Sequence, residues 1–416
     1  MASVKSVASA LLAAMATPGA AVALGRPLYA LAGRRPDRNV PLRSLAAVLV
    51  VRPDEIGDVI LTTPFLRELR RNAPHAWITL VVKPQTADIV EQCPYVNEVL
   101  TFDWSARGRA ATLKRHLRAL CLAGGRLWGR RFDIAILPRR DADYYHGTYL
   151  AYFSGACRRV GYSEKVSVRK QAMNPGYDQM LTDILPPSAV KHEVEYNVDV
   201  IRYLGGKVAD TRLEVWLQDE DRAFAAALLD AQGIPPGMGF VALAPGARWG
   251  KKQWPILRFV EVAQRLRGEH NARIVVVGGP EDRPLGEQLE AELGAGVANA
   301  AGRTTLRQAV ALLERCRLMI ANDSGPLHLA AAVGCPVVEI SWHTQEGDAD
   351  STESPARFGP WGVPHAIVHP ERSLAPCRGV CESDKPHCIL GVQADQVVEA
   401  ARSFLEARAF AKAHEL

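Results

Sequence analysis

The sequence predicts an α/β protein with two doubly wound parallel-sheet domains, and three observations carry that expectation. Short apolar runs rich in valine and alanine alternate with amphipathic, helix-like stretches. This alternation occurs in two successive sets, separated by a break around Gly205-Gly206. A chain of 416 residues is also long enough to bury two separate cores.

Taken in order, the chain opens with a basic leader over residues 1–45. Its most apolar part, residues 7–24, is mostly alanine and is interrupted by Thr17-Pro18-Gly19. Lys5 and the small residues near Ala14 and Ala16 would suit a weak secretory signal, but the thin apolar core favours a retained, surface-seeking or loosely packed leader. Arg26, Arg34, Arg35, Arg38 and Arg43 follow, a composition suited either to an anionic membrane surface or to plain solvation. A first domain over 46–208 carries strand candidates at 46–51, 77–82, 99–102, 134–138 and 159–161. A second domain over 209–392 carries strands at 240–244, 273–278, 318–321, 337–340 and 366–368, with helices at 256–269, 284–293 and 306–315. A last helix within 393–416 is expected to pack across the domains. Two such domains would face each other across an interdomain cleft at the carboxyl ends of their strands, where ligands of open α/β sheets bind.

Composition narrows the function classes. Hydrophobic residues at 48% and charged residues at 23% are those of a soluble globular protein, and no apolar run is long enough to span a bilayer. Residues 1–205 carry 28 Lys+Arg against 18 Asp+Glu, a net +10, and residues 206–416 carry 22 against 27, a net −5. A basic first half, densest over residues 107–131, points to an anionic partner. Nucleic acid is a poor candidate, because no helix-turn-helix, RNP-like or zinc-finger pattern accompanies the charge. Five cysteines (Cys93, Cys121, Cys157, Cys316 and Cys335) lie among apolar neighbours and read as reduced core residues. Cys377, Cys381 and Cys388 cluster beside His387, but C-x3-C-x6-C matches no common zinc pattern. The spacing favours a packing or thiol cluster over a structural metal or redox site.

Four stretches carry chemistry. In "VRPDEIGDVILTTPFLRELRRNAPHA", Gly57 and Asp58 fall in a loop between a buried strand and a helix, placing a carboxylate at a strand's carboxyl end. The helix either starts at Thr63-Pro64 or starts near Gly57 and is kinked by Pro64. In "LAPGARWGKKQWPILRFVEVA", Gly246 lets backbone approach a ligand, and Arg248, Lys251 and Lys252 supply cations for a diphosphate or form a solvated turn. In "CRLMIANDSGPLHLAAAVGCPVVEI", Asp323, Ser324 and Gly325 precede a helix opened by Pro326, whose free N–H groups and His328 can hold an anion. The alternative there is an ordinary Asp/Ser cap with a satisfied histidine. In "VVVGGPEDRPLGEQL", Glu281 follows a strand end and could bind ribose hydroxyls, although G-x-G-x-x-G is missing.

Together the blocks "DEIGDVILTTPFLRELRRNAP", "PGARWGKKQWPILRFVEVAQRL", "VVVGGPED" and "NDSGPLHLAAAVGCPVV" resemble the heptosyltransferases of glycosyltransferase family nine, which build the inner core of bacterial lipopolysaccharide. The resemblance covers roughly residues 46–400 and implies a GT-B fold, with the acceptor in the first domain and an ADP-sugar in the second. It implies an inverting transfer with no metal cofactor. Asp58 falls on the family's proposed base, beside Gly57, and Lys252 on the lysine that steadies the departing diphosphate. Gly246, Glu281, Asp323, Ser324, Gly325 and His328 fall on donor-binding positions. Arg248 stands where some members carry a small hydroxyl residue. Arg139 and Arg140 are expected to line the acceptor side.

Asp141-Ala142-Asp143 and Asp348-Ala349-Asp350 spell the metal-binding D-x-D, but neither ends a clear strand beside the anion site, and both read as loops. The expected activity is heptose transfer from ADP-heptose to an anionic, lipid-linked core acceptor at the cytoplasmic face of the inner membrane. Its rivals are a relative using another nucleotide sugar on an O-antigen or protein, a nucleotide-sugar epimerase or hydrolase, and a non-enzymatic binding module.

Overall fold

The computed structural model describes residues 17–33, 37, 40–105 and 111–413. They fall into two compact units. The first runs from the start of the described residues to Ala189 and includes Glu193–Thr211; the second comprises Val190–His192 and the chain from Arg212 onward.

In the first unit β1 (Ala47–Val51), β2 (Trp77–Val82), β3 (Glu98–Thr101), β4 (Ile134–Leu137), β5 (Arg158–Tyr162) and β6 (Asp183–Leu185) form one parallel sheet in the order β3-β2-β1-β4-β5-β6. In the second unit β7 (Phe240–Ala244), β8 (Ile274–Val276), β9 (Val297–Asn299), β10 (Cys316–Asn322), β11 (Val337–Ile340) and β12 (His365–Val368) form a parallel sheet in the order β12-β11-β10-β7-β8-β9. Counted within each unit, both sheets follow the same doubly wound order, in which strand order reverses between the first and fourth strands. The switch points are therefore β1/β4 and β7/β10, and ligands of this architecture bind beyond the carboxyl ends of those strands.

Strands covered by helices on both faces are apolar without alternation, which is why the central ones stand out in the sequence. β7 is buried at every position, and Val48, Leu49 and Val50 of β1 are fully enclosed. The edge strands β6 and β9 are additional to the expected set. Each has three residues, and β9 reads Val-Ala-Asn, too short and too weak in β-branched side chains to register as a strand. The helices Ile256–His270, Arg283–Leu293 and Leu306–Leu313 lie close to their expected positions.

Two expectations need correction. The C-terminal helix Ala394–Ala413, expected to pack across the domains, belongs to the second unit: Val397, Val398, Ala401 and Leu405 join its core with Phe259, Leu266 and Leu318. The leader is also not wholly loose. Residues 1–16, Arg34, Arg35 and Arg38 lie outside the described residues, as do residues 106–110 of the basic stretch. The helix Pro18–Leu31 buries Ala21 and Val22 against Tyr149, Tyr152, Tyr177 and Met180 of the first unit. Gly25 permits that contact, since a Cβ there would lie 2.6 Å from the Tyr152 ring. No described helix is long and apolar enough to cross a membrane.

Candidate active site

In the first unit β1 runs directly into the site. The Arg52 amide still bonds to Val81 O (2.8 Å), after which Pro53 ends the ladder. Gly57 and Asp58 do not lie in a loop. They belong to a short helix, Ile56–Leu61, and Asp58 caps it by accepting the Glu55 amide at 3.3 Å. A second helix, Thr63–Asn72, follows at once with Pro64 in its first turn, so the chain combines an early helix start with a break ahead of the proline. Gly57 therefore sits inside a helix rather than in a flexible loop.

Around this turn stands a charge cluster at the β1/β4 switch point. Arg52 is fully buried and meets Asp54 at 3.2 Å, Glu193 at 2.9 Å and Asp58 at 3.6 Å. Arg139, just past β4, contacts Asp54, lies 3.9 Å from Asp58 and donates to Ala142 O at 2.7 Å. Burial alone would lower the pKa of both guanidiniums; the surrounding carboxylates, Asp54 foremost, outweigh it and raise both. Burial pushes the Asp54 carboxyl up, opposed by Arg139 and Arg52. Of the three acids on Arg52, Asp58 is the open one: its side chain is 15% exposed, against 3% for Asp54 and 1% for Glu193. Asp54 and Arg139 also line a small cavity with Pro53, Asp143, Thr148 and Lys170.

Arg140 is a different case from Arg139. It is buried, stacks 4.7 Å from the Tyr196 ring centre and donates to Val166 O at 3.1 Å, which gives it a packing role instead of the expected acceptor contact. Asp143 of the first D-x-D accepts from the Gly147 and Thr148 amides (2.9 and 2.8 Å) and so caps a helix. Asp348 of the second accepts the Asp350 amide at 2.9 Å within its loop.

In the second unit the site lies at the β7/β10 switch point. Asn322, enclosed at the end of β10, donates to Pro245 O (2.7 Å) and accepts from the Trp254 amide (3.2 Å), tying the two strand ends to the following helix. Lys252 ends the single turn Gly250–Lys252, and its Nζ lies 2.6 Å from Asp323 and 3.0 Å from Glu353. Burial works against the ammonium, but those two carboxylates hold its pKa above the ordinary lysine value. Beneath them Glu339 is buried on β11. Burial, reinforced by Asp323, drives its carboxyl well above the usual range, with Lys252 opposing. Ser324 precedes the helix Gly325–Ala332, but its hydroxyl donates to Asn322 O (3.1 Å) instead of capping the first-turn amides. His328 is buried on that first turn.

The acid that reaches the Gly246 loop is Asp282, next to the expected Glu281, which is exposed. The single turn Pro280–Asp282 aims Asp282 inward, where it accepts the Gly279 amide at 2.9 Å. A Cβ on Gly246 would lie 1.9 Å from its Oδ1, and one on Gly278 2.5 Å from its Oδ2. Gly246 is thus required for the close approach of Asp282, an acid not singled out from the sequence, where a ligand was expected. Arg248 is exposed at the rim. Trp249 is 42% exposed, and the ammoniums of Lys252 and Lys251 lie over its ring, 5.3 and 5.4 Å from the ring centre. Asp54, Glu193, Glu339, Glu353 and Asp282 are the functional candidates missed from sequence.

Among the described residues, the cluster able to hold a metal ion is Cys377, Cys381, His387 and Cys388, whose ligand atoms all lie within 4.8 Å of one another.

The family model described as glycosyltransferase family 9 (heptosyltransferase) matches residues 126–386. Lipopolysaccharide heptosyltransferase 2 of Salmonella typhimurium is 25% identical over 302 residues, covering 70% of this chain and 82% of that protein. A solved family 9 glycosyltransferase from Veillonella parvula superposes with a TM-score of 0.72 at 22% identity, covering 89% of this chain and 99% of that one. The ADP-heptose lipopolysaccharide heptosyltransferase II of Escherichia coli superposes with a TM-score of 0.64 at 19% identity, covering 87% and 99%. These superpositions share the two-sheet architecture described above.

Proposed function

The chain belongs to glycosyltransferase family 9 (heptosyltransferase), and from that premise we propose that it transfers heptose from ADP-heptose to a lipopolysaccharide inner-core acceptor with inversion. Two observations, one within each unit, carry the reading: a solvent-reachable carboxylate, Asp58, at the switch point of the first, and a lysine beside a helix start without a side-chain cap at the switch point of the second. Asp58 takes the proton of the acceptor hydroxyl as its oxygen bonds to the anomeric carbon. The bond from that carbon to the diphosphate oxygen breaks, and ADP leaves with the electron pair. Charge grows on the leaving diphosphate, so a fixed cation at Lys252 and the first-turn amides of Gly325–Ala332 favour the transition state over the ground state.

Lys252 supplies in this proposal the positive charge that other transferases draw from a divalent ion, so transfer proceeds without a catalytic metal. Asp282 takes the ribose-facing place first given to Glu281, and Arg139 holds the acceptor side with Asp58. The basic first half, net +10, suits an acidic, lipid-linked acceptor and attachment to the inner-membrane surface from the cytoplasmic side.

The test is ADP release from ADP-heptose by the purified chain, with and without a heptose-deficient core lipid. Acceptor-dependent release lost in Asp58→Ala is the expected result. Sugar turnover without acceptor would replace transfer by epimerisation or hydrolysis, and ADP binding without release would point to another sugar or acceptor.

A further inference from the structure

Three cysteines and one histidine that no step above uses converge in the second unit. Nδ1 of His387 lies 3.5 Å from the sulfur of Cys377, 3.9 Å from that of Cys381 and 3.5 Å from that of Cys388. A tetrahedral ion with metal–sulfur bonds near 2.3 Å and metal–nitrogen bonds near 2.0–2.1 Å requires a nitrogen–sulfur edge of about 3.6 Å. The His387 ring is therefore already at the apex such an ion needs. The three thiols are buried and form no disulfide, and the Glu382 amide points at the Cys377 sulfur from 3.4 Å, the kind of outer contact that steadies a metal-bound thiolate.

We propose that Cys377, Cys381, His387 and Cys388 bind one thiophilic transition-metal ion, zinc(II) or iron(II), in a closed tetrahedral site. Four protein ligands leave no open position, so the ion is structural. What it braces is visible in the packing. Asp384, inside the liganding segment, presses on the Gly250–Lys252 turn so closely that a Cβ on Gly250 would lie 2.6 Å from its carbonyl oxygen. Just beyond, Val392 O accepts from Trp254 Nε1 at 3.1 Å, and Leu390 O from Arg258 at 2.8 Å. The ion thus fixes the segment on which the turn carrying Lys252 rests. C-x3-C-x6-C hides this because the fourth ligand is a histidine adjacent to the last cysteine.

The test begins with elemental analysis of the full chain, purified under reducing conditions after expression with zinc and iron both supplied. About one equivalent per chain is expected, its identity distinguishing zinc from iron. The equivalent is lost in Cys381→Ser and His387→Ala and kept in Cys93→Ser. Should the cluster variants fail to fold, replacing the ion in the unmodified chain with cobalt(II) reads the site directly, through the visible bands of tetrahedral thiolate-bound cobalt. Absence of stoichiometric metal together with absence of those bands, or a disulfide within the cluster by intact mass, overturns the site. A second arm rests on the donor-site reading above: stripping the ion with a strong chelator is expected to weaken ADP binding several-fold. Unchanged ADP affinity in stripped protein would overturn the bracing role, while the metal content stands independently of that reading.

Discussion

Nζ of Lys252 sits 2.6 Å from Oδ2 of Asp323 and 3.0 Å from Oε2 of Glu353, so this lysine is held by two carboxylates at once. Burial and Asp323 raise the Glu339 carboxyl beneath them, which favours its uncharged form there. An arriving diphosphate must draw the ammonium partly away from its acids, which makes donor binding depend on how firmly Asp323 and Glu353 hold it. Lys252→Ala removes the cation and leaves two carboxylates facing each other. It is expected to weaken ADP binding by at least about tenfold and to destabilise the fold by roughly 3 kcal/mol, the lower end for breaking an enclosed pair because the side chain is 15% exposed. Calorimetric ADP titration and urea unfolding check the two effects separately. Wild-type ADP affinity in this variant would remove Lys252 from the donor site.

Asp58→Asn separates chemistry from folding better than alanine does. The amide oxygen can still accept the Glu55 amide, preserving the cap of Ile56–Leu61, but the side chain no longer takes a proton. Turnover is expected to fall by about 10²–10⁴, the usual contribution of a positioned base, with ADP affinity unchanged. Acceptor-dependent ADP release measures the first and titration the second. If instead Asp54→Asn abolished turnover while Asp58→Asn kept it, the base would be the buried neighbour.

Gly246→Ala probes the contact between the Gly246 loop and Asp282. Its Cβ would lie 1.9 Å from Oδ1 and 2.2 Å from Cγ of Asp282, so the carboxylate must swing off the Gly279 amide. The single variant is expected to cost about 1–3 kcal/mol, as overpacking does. In Asp282→Ala the same glycine change should cost little, giving a coupling of 1 kcal/mol or more in a double-mutant cycle. Additive effects in urea unfolding would show that the two residues do not meet.

How much of this was legible in the sequence depends on the range of the interaction. Strand ends followed by glycine, proline and acid are local signals, and Asp58, Gly246 and Asp323 all lie just beyond such ends. Partnerships are not local. Lys252 and Asp323 are 71 residues apart, and Asp54 and Arg139 are 85 apart. They meet because β7 pairs with β10 and β1 with β4, a fact of strand order that periodicity does not encode. Glu281 and Asp282 are neighbours in sequence, and one turn of backbone decides which faces inward. Arg140 shows the limit on charge reading: basic residues adjacent in sequence went to opposite fates, one at the acid cluster and one under Tyr196.

His192 gives the second unit a pH signature. Its ring stacks on Trp361 with centroids 4.5 Å apart, and its Nε2–H donates to Gly359 O at 3.0 Å. Burial pulls its pKa down to about 4, with His328, Arg357 and His365 adding in the same direction and the Gly359 contact opposing them. In the unfolded chain the value returns to about 6.5. The folded state thus favours the neutral ring, and the stability this contributes is fully present above about pH 6.5 and is lost as pH falls from there to about 4. The loss is bounded at about 3.4 kcal/mol, 1.36 kcal/mol for each pH unit between about 4 and about 6.5. In His192→Gln an amide can keep the bond to Gly359 without titrating. The variant is expected to be less stable than wild type at pH 7.5, through lost stacking, and to close or reverse that gap at pH 4. Urea unfolding across this window measures the difference, and parallel curves for the two proteins would mean that His192 does not titrate between folded and unfolded states.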